Sequence, residues 1–338
     1  MPQNRTLLWI EPSQGRFAQC VTELAKMRVV GVGAPAESTK SDTTDLGTLF
    51  TDATPFSDIR QIVAEGNADV LLIMTAAHAE PGADVGLGDD LEFLNHCRHH
   101  NLRVFSTAPA PSTTRSSVPP DAVRTLGLLR NTPIWLRATD ALANFGPVQT
   151  VSVSSRCARD ASSLGARLFD AMSLIHALLG LPESVDAALV THPTPSAGQG
   201  PPRTLRRLRG DITANLRFGA HRAGALTLSD RGGRWFRGVT LLGDAGCFRL
   251  DENGFEHLDP DGVLVDASEP EDAAGSADGG AHAVATDLRR AMDPHLPTPE
   301  PMDVRSVLAM CEAAILSAST GAAEPPSTIL QMARADRV

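Results

Sequence analysis

The sequence predicts an α/β protein in two parts: a doubly wound parallel sheet, then an α+β part with a mostly antiparallel open sheet. Three observations predict it. Short apolar runs alternate with helix-spaced stretches from Arg5 to Phe105. Strand-like segments then crowd together from Ser184 to Leu250, with clear period-2 alternation in Ile212–Phe218. The length of 338 residues suits two domains of about 150 residues each.

The elements follow in order. Arg5–Ile10 reads as a buried strand. Phe17–Lys26 reads as a helix with Phe17, Val21 and Leu24 on one stripe, and Arg28–Val32 as a second strand. Phe56–Glu65 reads as a helix capped by Ser57 or Thr54, Val70–Met74 as a strand, Asp90–His99 as a helix and Leu102–Phe105 as a strand. Strand–helix–strand repetition with right-handed crossovers gives a parallel sheet covered on both faces. Pro109–Pro120 is rich in Pro, Ser and Thr and reads as a loop. Asp121–Arg130 and Thr132–Ala143 read as helical. The second part opens with a strand at Val148–Ser154 and a strongly apolar helix at Leu164–Leu179. Strands follow at Ser184–Thr191, Asp211–Phe218, Ala223–Ser229, Trp235–Leu242 and Gly246–Leu250. Asp266–His282 reads as an acidic, Gly/Ala-rich loop, and a helix pair, Ala283–Met292 and Val304–Thr320, closes the chain.

Composition excludes several classes. The formal net charge is −10 and Arg203–Arg209 is the one basic cluster, so the chain lacks the cationic face that nucleic acid requires. No run of about 20 apolar residues is present, which argues against a membrane span. Five scattered cysteines without a C-x-x-C predict a reducing compartment. The opening Met1–Arg5 runs straight into a strand without a signal-peptide pattern, so a cytoplasmic protein is expected. No G-x-S-x-G, H-E-x-x-H or P-loop occurs, so serine hydrolase, zincin and NTPase chemistry lack their parts.

Five passages, in order along most of the chain, resemble the Gfo/Idh/MocA family of oxidoreductases. Ala68–Thr75 (ADVLLIMT) is similar to the family's third-strand motif, with Ala76 where a proline is usual. Gly146-Pro147-Val148 resembles the opening of the family's second domain. Leu179–Val185, Thr240–Gly246 and Ala313–Gly321 resemble its LLGepeSV, GteG-hairpin and Sa-tG passages. The resemblance implies a Rossmann-like dinucleotide-binding domain over residues 1–120. It implies a substrate and oligomerisation domain over 121–338, whose C-terminal helices pack back on the first. It also implies NAD(P) as cofactor, a sugar or polyol substrate, no metal, and a homo-oligomer built through the C-terminal sheet.

The residues that would carry that chemistry depart from the family's pattern. The glycine-rich turn that admits a pyrophosphate reads Glu11-Pro12-Ser13-Gln14-Gly15-Arg16, with Gly15 the one glycine and Glu11 adding a negative charge. Ser13, Gln14, Gly15 and Thr75 are the candidate cofactor contacts. The ribose-binding acid falls near Ala34, with Glu37 beyond a proline. The family's E-K-P reads Thr107-Ala108-Pro109, and the chain's two lysines, Lys26 and Lys40, lie too early to substitute. The family's G-x-H-x-x-D reads Gly165–Asp170, with Arg167 at the histidine. An arginine is a poor base but holds carboxylates and phosphates well. Asp170 and Arg167 are the candidate catalytic residues. The alternative for them is an i,i+3 pair on a helix surface.

Two other stretches mix chemistry with plainer readings. His96-Cys97-Arg98-His99-His100 carries metal-ligand types, but it also suits a helix C-terminus, where the dipole favours histidine. Ser229–Arg237 reads as a hairpin turn around Gly232-Gly233, or as a cleft or subunit contact through Trp235 and Arg237. The expected function is therefore an NAD(P)-dependent oxidoreductase fold with degenerate cofactor and catalytic motifs. The alternative is a non-catalytic relative serving as a ligand-binding, regulatory or assembly subunit. A third possibility is different chemistry in the same cleft through Asp170, Arg167 and His176.

Overall fold

A computed structural model describes residues 4–35, 46–74, 87–158, 161–191, 204–219, 221–268, 279–293, 295–296 and 301–336. The first part runs β1 (Arg5–Ile10), α1 (Gly15–Leu24), β2 (Arg28–Gly33), α2 (Leu46–Leu49), β3 (Thr54–Phe56), α3 (Ile59–Ala64), β4 (Val70–Met74), α4 (Leu91–His99), β5 (Arg103–Ser106) and β6 (Arg124–Thr125). All six strands are parallel, in the order β3-β2-β1-β4-β5-β6. This is the doubly wound arrangement, and its crevice opens at the carboxyl ends of β1 and β4. Every residue of β4 is buried, as a central parallel strand covered on both faces requires.

The second part runs α5 (Pro133–Phe145), β7 (Val148–Arg156), α6 (Leu164–Leu179), β8 (Ser184–Val190), β9 (Asp211–Phe218), β10 (Arg222–Ser229), β11 (Phe236–Gly243), β12 (Gly246–Asp251), β13 (Phe255–Leu258) and β14 (Leu264–Ala267). Three helices, α7 (Gly279–Met292), α8 (Val304–Thr320) and α9 (Pro326–Ala335), follow. The eight strands lie in the order β14-β13-β12-β11-β7-β10-β9-β8, and β7–β10 is the parallel pair in an otherwise antiparallel sheet. Helices α5, α6 and α8 share one apolar core with this sheet. Helix α7 instead buries Ala281, Val284, Ala285 and Leu288 with β1, β2 and β4.

The structure corrects several expectations. The buried stripe of α1 is Ala18, Val21, Thr22 and Ala25, while Leu24 is turned outward. The cap of α3 is Asp58, whose carboxylate accepts from the Arg60 and Gln61 N–H groups, because the helix starts three residues after Phe56. Phe56 itself ends β3 and stacks on Trp9. Asp121–Arg130 is not an α-helix: it holds β6 and the start of a single 3-10 turn, Leu129–Asn131. Its apolar residues enter three different cores, Val123 one, Leu126 another, Leu128 and Leu129 a third, so no single helical face forms. Strands β13 and β14 and helix α9 were not expected. Most of the predicted acidic loop, 269–278, lies outside the described residues, as does Thr75.

Candidate functional site

The site forms where α6 passes the first residues of β11. Ser163 caps α6, its hydroxyl accepting the Ala166 N–H at 3.1 Å. Gly165 sits against the chain at Leu205, where a Cβ would come within 2.1 Å of the Leu205 carbonyl oxygen. With that segment on one side and the sheet on the other, the first three turns of α6 are buried all round. Arg167 and Asp170 are only 3% and 4% exposed. The surface-pair reading is thereby overturned: both are buried and no hydrogen bond or ion pair joins them, Asp170 being held by Leu129 and Arg237 and Arg167 lying against the Trp235 ring.

Asp170 is fully engaged. One carboxylate oxygen accepts the Leu129 N–H at 2.7 Å and the other accepts from Arg237 Nη1 at 3.0 Å. Arg237 is 1% exposed and donates through Nε and Nη2 to both oxygens of Glu252, and through Nη1 to the Gly127 carbonyl. Burial alone would lower the Arg237 guanidinium, but Glu252 and Asp170 outweigh it and hold the group above the ordinary arginine value. Glu252 shows the converse: burial opposes its charge, yet Arg237 and the Trp235 indole keep its carboxyl below the usual range. A buried guanidinium between two carboxylates is tolerable because each charge is both paired and hydrogen-bonded.

Arg167 has no such partner. Its guanidinium lies 3.8 Å from the centre of the Trp235 ring. Its Nε and Nη1 are shut from solvent and make no hydrogen bond. Orphaned buried donors each cost about 1–3 kcal/mol, and burial lowers the Arg167 pKa, with Cys157 and Asp170 opposing. The cation–π contact compensates in part. Gly280 of α7 closes on the same indole, since a Cβ there would come within 2.4 Å of a ring atom. Trp235 therefore joins α6, the eight-stranded sheet and α7.

A second polar knot holds the connection between the two sheets. Asp287 of α7, 1% exposed, accepts from the Gly127 N–H, Asn131 Nδ2 and Arg124 Nη2 at 3.0, 3.2 and 3.0 Å. Burial raises its pKa, with Arg124 acting the other way. Gly127 has φ +76, a conformation that glycine adopts freely. Its N–H goes to Asp287 and its carbonyl to Arg237, so this one residue ties α7 to β11.

The remaining expected residues are dispersed. Ser229–Arg237 is not a hairpin, because β7 lies between β10 and β11. The stretch crosses the end of β7 instead, with the Gly232 N–H on the Cys157 carbonyl at 3.0 Å. Trp235 and Arg237 turn inward instead, where Trp235 donates to Glu252 and Arg237 to Glu252 and Asp170. His176 lies half-buried near the end of α6, its pKa lowered by burial with Asp303 acting the other way. The rings of His96 and His100 pack in a T-shape with their centres 4.7 Å apart, while Cys97 is fully buried with its thiol pushed up to about 12 by burial. Among the described residues no group of three His, Cys, Asp or Glu converges to hold a metal. Ala108 donates its N–H to Ser106 Oγ, and the loop after it is gripped by Asp89 at Ser112 and by Glu312 of α8 at Thr114.

At the end of β1 the chain enters a short 3-10 turn, Pro12–Gln14, and then α1. Pro12 supplies no N–H there. Glu11 and Gln14 are 4% and 1% exposed, whereas Ser13 is half-buried. Gly15 is helical, at φ −53.

Sequence reasoning missed Glu252, Gly127 and Asp287. A buried Arg237 requires a buried acid, but nothing local marks which of the chain's many acids supplies it.

No family model matches the chain, and no curated protein matches it in sequence. Solved structures do match. GenD2 from gentamicin A biosynthesis, solved with NAD, is 17% identical over 96% of this chain and 97% of its own, with a TM-score of 0.64. Levoglucosan dehydrogenase, solved with NADH and L-sorbose, is 15% identical over 96% and 99%, also at 0.64. An oxidoreductase from Agrobacterium radiobacter, solved with NAD+, L-tartaric acid and magnesium, is 14% identical over 97% and 100%, at 0.63. The fold is the Gfo/Idh/MocA fold. The likeness runs the length of both chains, so the six-stranded and eight-stranded sheets of this protein correspond to the two parts of a Gfo/Idh/MocA oxidoreductase.

Proposed function

We propose that this protein keeps the shell of an NAD(P)-dependent sugar or polyol oxidoreductase but transfers no hydride, and serves as a ligand-binding or regulatory subunit. One observation carries the reading: both oxygens of Asp170 are committed, to Leu129 and Arg237, and the neighbouring position that needs an acid/base holds a permanently charged Arg167. The turn after β1 supports it. Glu11 and Gln14 are buried in the turn that by resemblance would receive a dinucleotide's phosphates, and an acidic side chain there disfavours them. The residues present do not fit the dinucleotide.

The same reading divides the chain into domains 1–120 and 121–338, places it in the cytoplasm and builds a homo-oligomer through the open face of the eight-stranded sheet. That face is lined by small residues such as Ser152, Ser154, Ala225 and Thr240, which suit close sheet-to-sheet contact. No helix among the described residues is long and apolar enough to cross a membrane.

The test is a dehydrogenase assay of the full chain with NAD+ and with NADP+ over a panel of sugars and polyols, following nicotinamide absorbance. The reading expects no turnover above the protein-free rate. Turnover that Asp170→Asn abolishes would overturn it.

A further inference from the structure

We propose that the free edge of β14 is a docking surface for an extended, lysine- or arginine-bearing segment of a partner protein, which joins the eight-stranded sheet as a further strand. The inference does not depend on whether the chain binds a dinucleotide, and it leaves the open face of the sheet free for the subunit contact proposed above. β14 has β13 on one side and no strand on the other among the described residues. Val263, Leu264 and Val265 are 61%, 57% and 58% exposed, the one run of consecutive large apolar residues so exposed among the described residues. Single exposed apolar residues are ordinary, whereas a contiguous run marks a contact. The run is held rather than frayed. The Asp259 carboxylate accepts the Asp261 and Val263 N–H groups at 2.9 and 2.8 Å, and the Asp259 N–H donates to the Val263 carbonyl at 2.9 Å. The opposite edge of the same sheet is closed. There Val185 of β8 exchanges both backbone hydrogen bonds with Glu324 at 2.9 Å, and the Ala187 N–H donates to Ser317 Oγ. An edge strand left without such a cover is a template for another chain.

Register fixes which backbone groups a partner meets. The Ser268 N–H donates to the Phe255 carbonyl at 3.0 Å, and Ala267 lies opposite Glu256. Backbone groups alternate in direction along an antiparallel ladder, so the N–H and C=O of Ala267 face away from β13. Charge selects the partner. Residues 251–268 include Asp251, Glu252, Glu256, Asp259, Asp261 and Asp266 but no lysine or arginine. Glu252 is held by Arg237, and Glu256 pairs with Arg249. Asp261 and Asp266 remain, exposed on either side of the apolar run. A second copy of this edge would bring the same acids and no cation to meet them, so self-pairing is disfavoured. A strand with apolar residues between lysines or arginines satisfies the backbone, the apolar run and both acids together.

The experiment uses the full chain and fluorescence anisotropy of a labelled synthetic peptide in which valine and threonine alternate between terminal lysines. One control peptide carries glutamate in place of lysine, and another has its central backbone nitrogens methylated. The proposal expects saturable binding of the lysine peptide, with both controls at least about tenfold weaker. The affinity should fall as salt rises. Ala267→Pro removes the outward N–H and spares the ladder to β13, so it should weaken binding about tenfold at an unchanged melting temperature. The methylated peptide tests the same hydrogen bonds without altering the protein, so the result stands even where the proline perturbs the fold. Asp261→Asn with Asp266→Asn should weaken the lysine peptide and not the glutamate peptide. No saturation at millimolar peptide, equal binding by either control, or binding unchanged in a folded Ala267→Pro protein would each overturn the proposal. Concentration-dependent dimerisation in sedimentation that Ala267→Pro abolishes would also overturn it, giving the edge to a second copy of the chain.

Discussion

Arg237 and Asp170, 67 residues apart in the chain, meet in the core with Nη1 3.0 Å from a carboxylate oxygen. The pair does more than neutralise charge. Through Gly127 and Leu129 it fixes the chain segment that leads from the six-stranded sheet into α5, and through Glu252 it fixes the turn after β12. Asp170 is here part of a structural brace.

Breaking the brace leaves two buried acids uncompensated. Arg237→Met should therefore destabilise the protein by about 3–5 kcal/mol, read as a shift in the urea midpoint. Arg237→Lys keeps one charge but loses the fork, and its midpoint should fall between the two.

The brace is also sensitive to acid. Glu252 titrates below its ordinary value of 4.5 in the folded protein. The unfolded chain therefore takes up the proton first, so the stabilisation is present above about 4.5 and is lost as the pH falls through the folded value. Glu252→Gln should be less stable than wild type at neutral pH and should show a flatter acid limb in melting temperature against pH. An unchanged acid limb would remove Glu252 from the brace.

Trp235 sits between α6 and α7 with no room to spare at Gly280. Gly280→Ala should displace the indole, shift the intrinsic fluorescence and lower stability by about 1–3 kcal/mol. The same substitution at Gly262, where nothing lies within 4 Å of the added Cβ, should leave the fluorescence unchanged, although its φ of +81 carries its own backbone cost.

Glu312 reaches from α8 to the loop 109–120, accepting the Thr114 N–H at 2.7 Å and its hydroxyl at 2.8 Å. Glu312→Ala should cost about 2 kcal/mol and speed amide exchange within that loop more than in β4. Equal exchange in both would mean that the loop is held by other contacts.

The parts of the fold that were legible in the sequence are those fixed by local pattern. Helix α6 reads end to end, because Ser163 and Gly180 bracket an unbroken apolar stretch. Strand β9 reads equally well, because its residues alternate strictly between core and outer face. Asp121–Arg130 misleads for a physical reason: Val123, Leu126 and Leu129 have helical spacing but are buried in three separate cores. Within the site, Arg167, Asp170, Trp235 and Arg237 stand out by residue type and position. Their pairing does not, since Arg237 chooses Asp170 and Glu252 through strand order rather than spacing. The burial of Arg167 could not be read either, because the segment that covers α6 at Gly165 arrives from Leu205.

The central claim is that the turn after β1 no longer holds a dinucleotide. Titration of the full chain with NADH and with NADPH, following ligand fluorescence and energy transfer from Trp9, Trp135 and Trp235, tests it most directly. The account predicts no saturation up to millimolar cofactor. Saturable micromolar binding that weakens on Gly15→Asp would contradict it and return the chain to the dehydrogenases whose fold it shares.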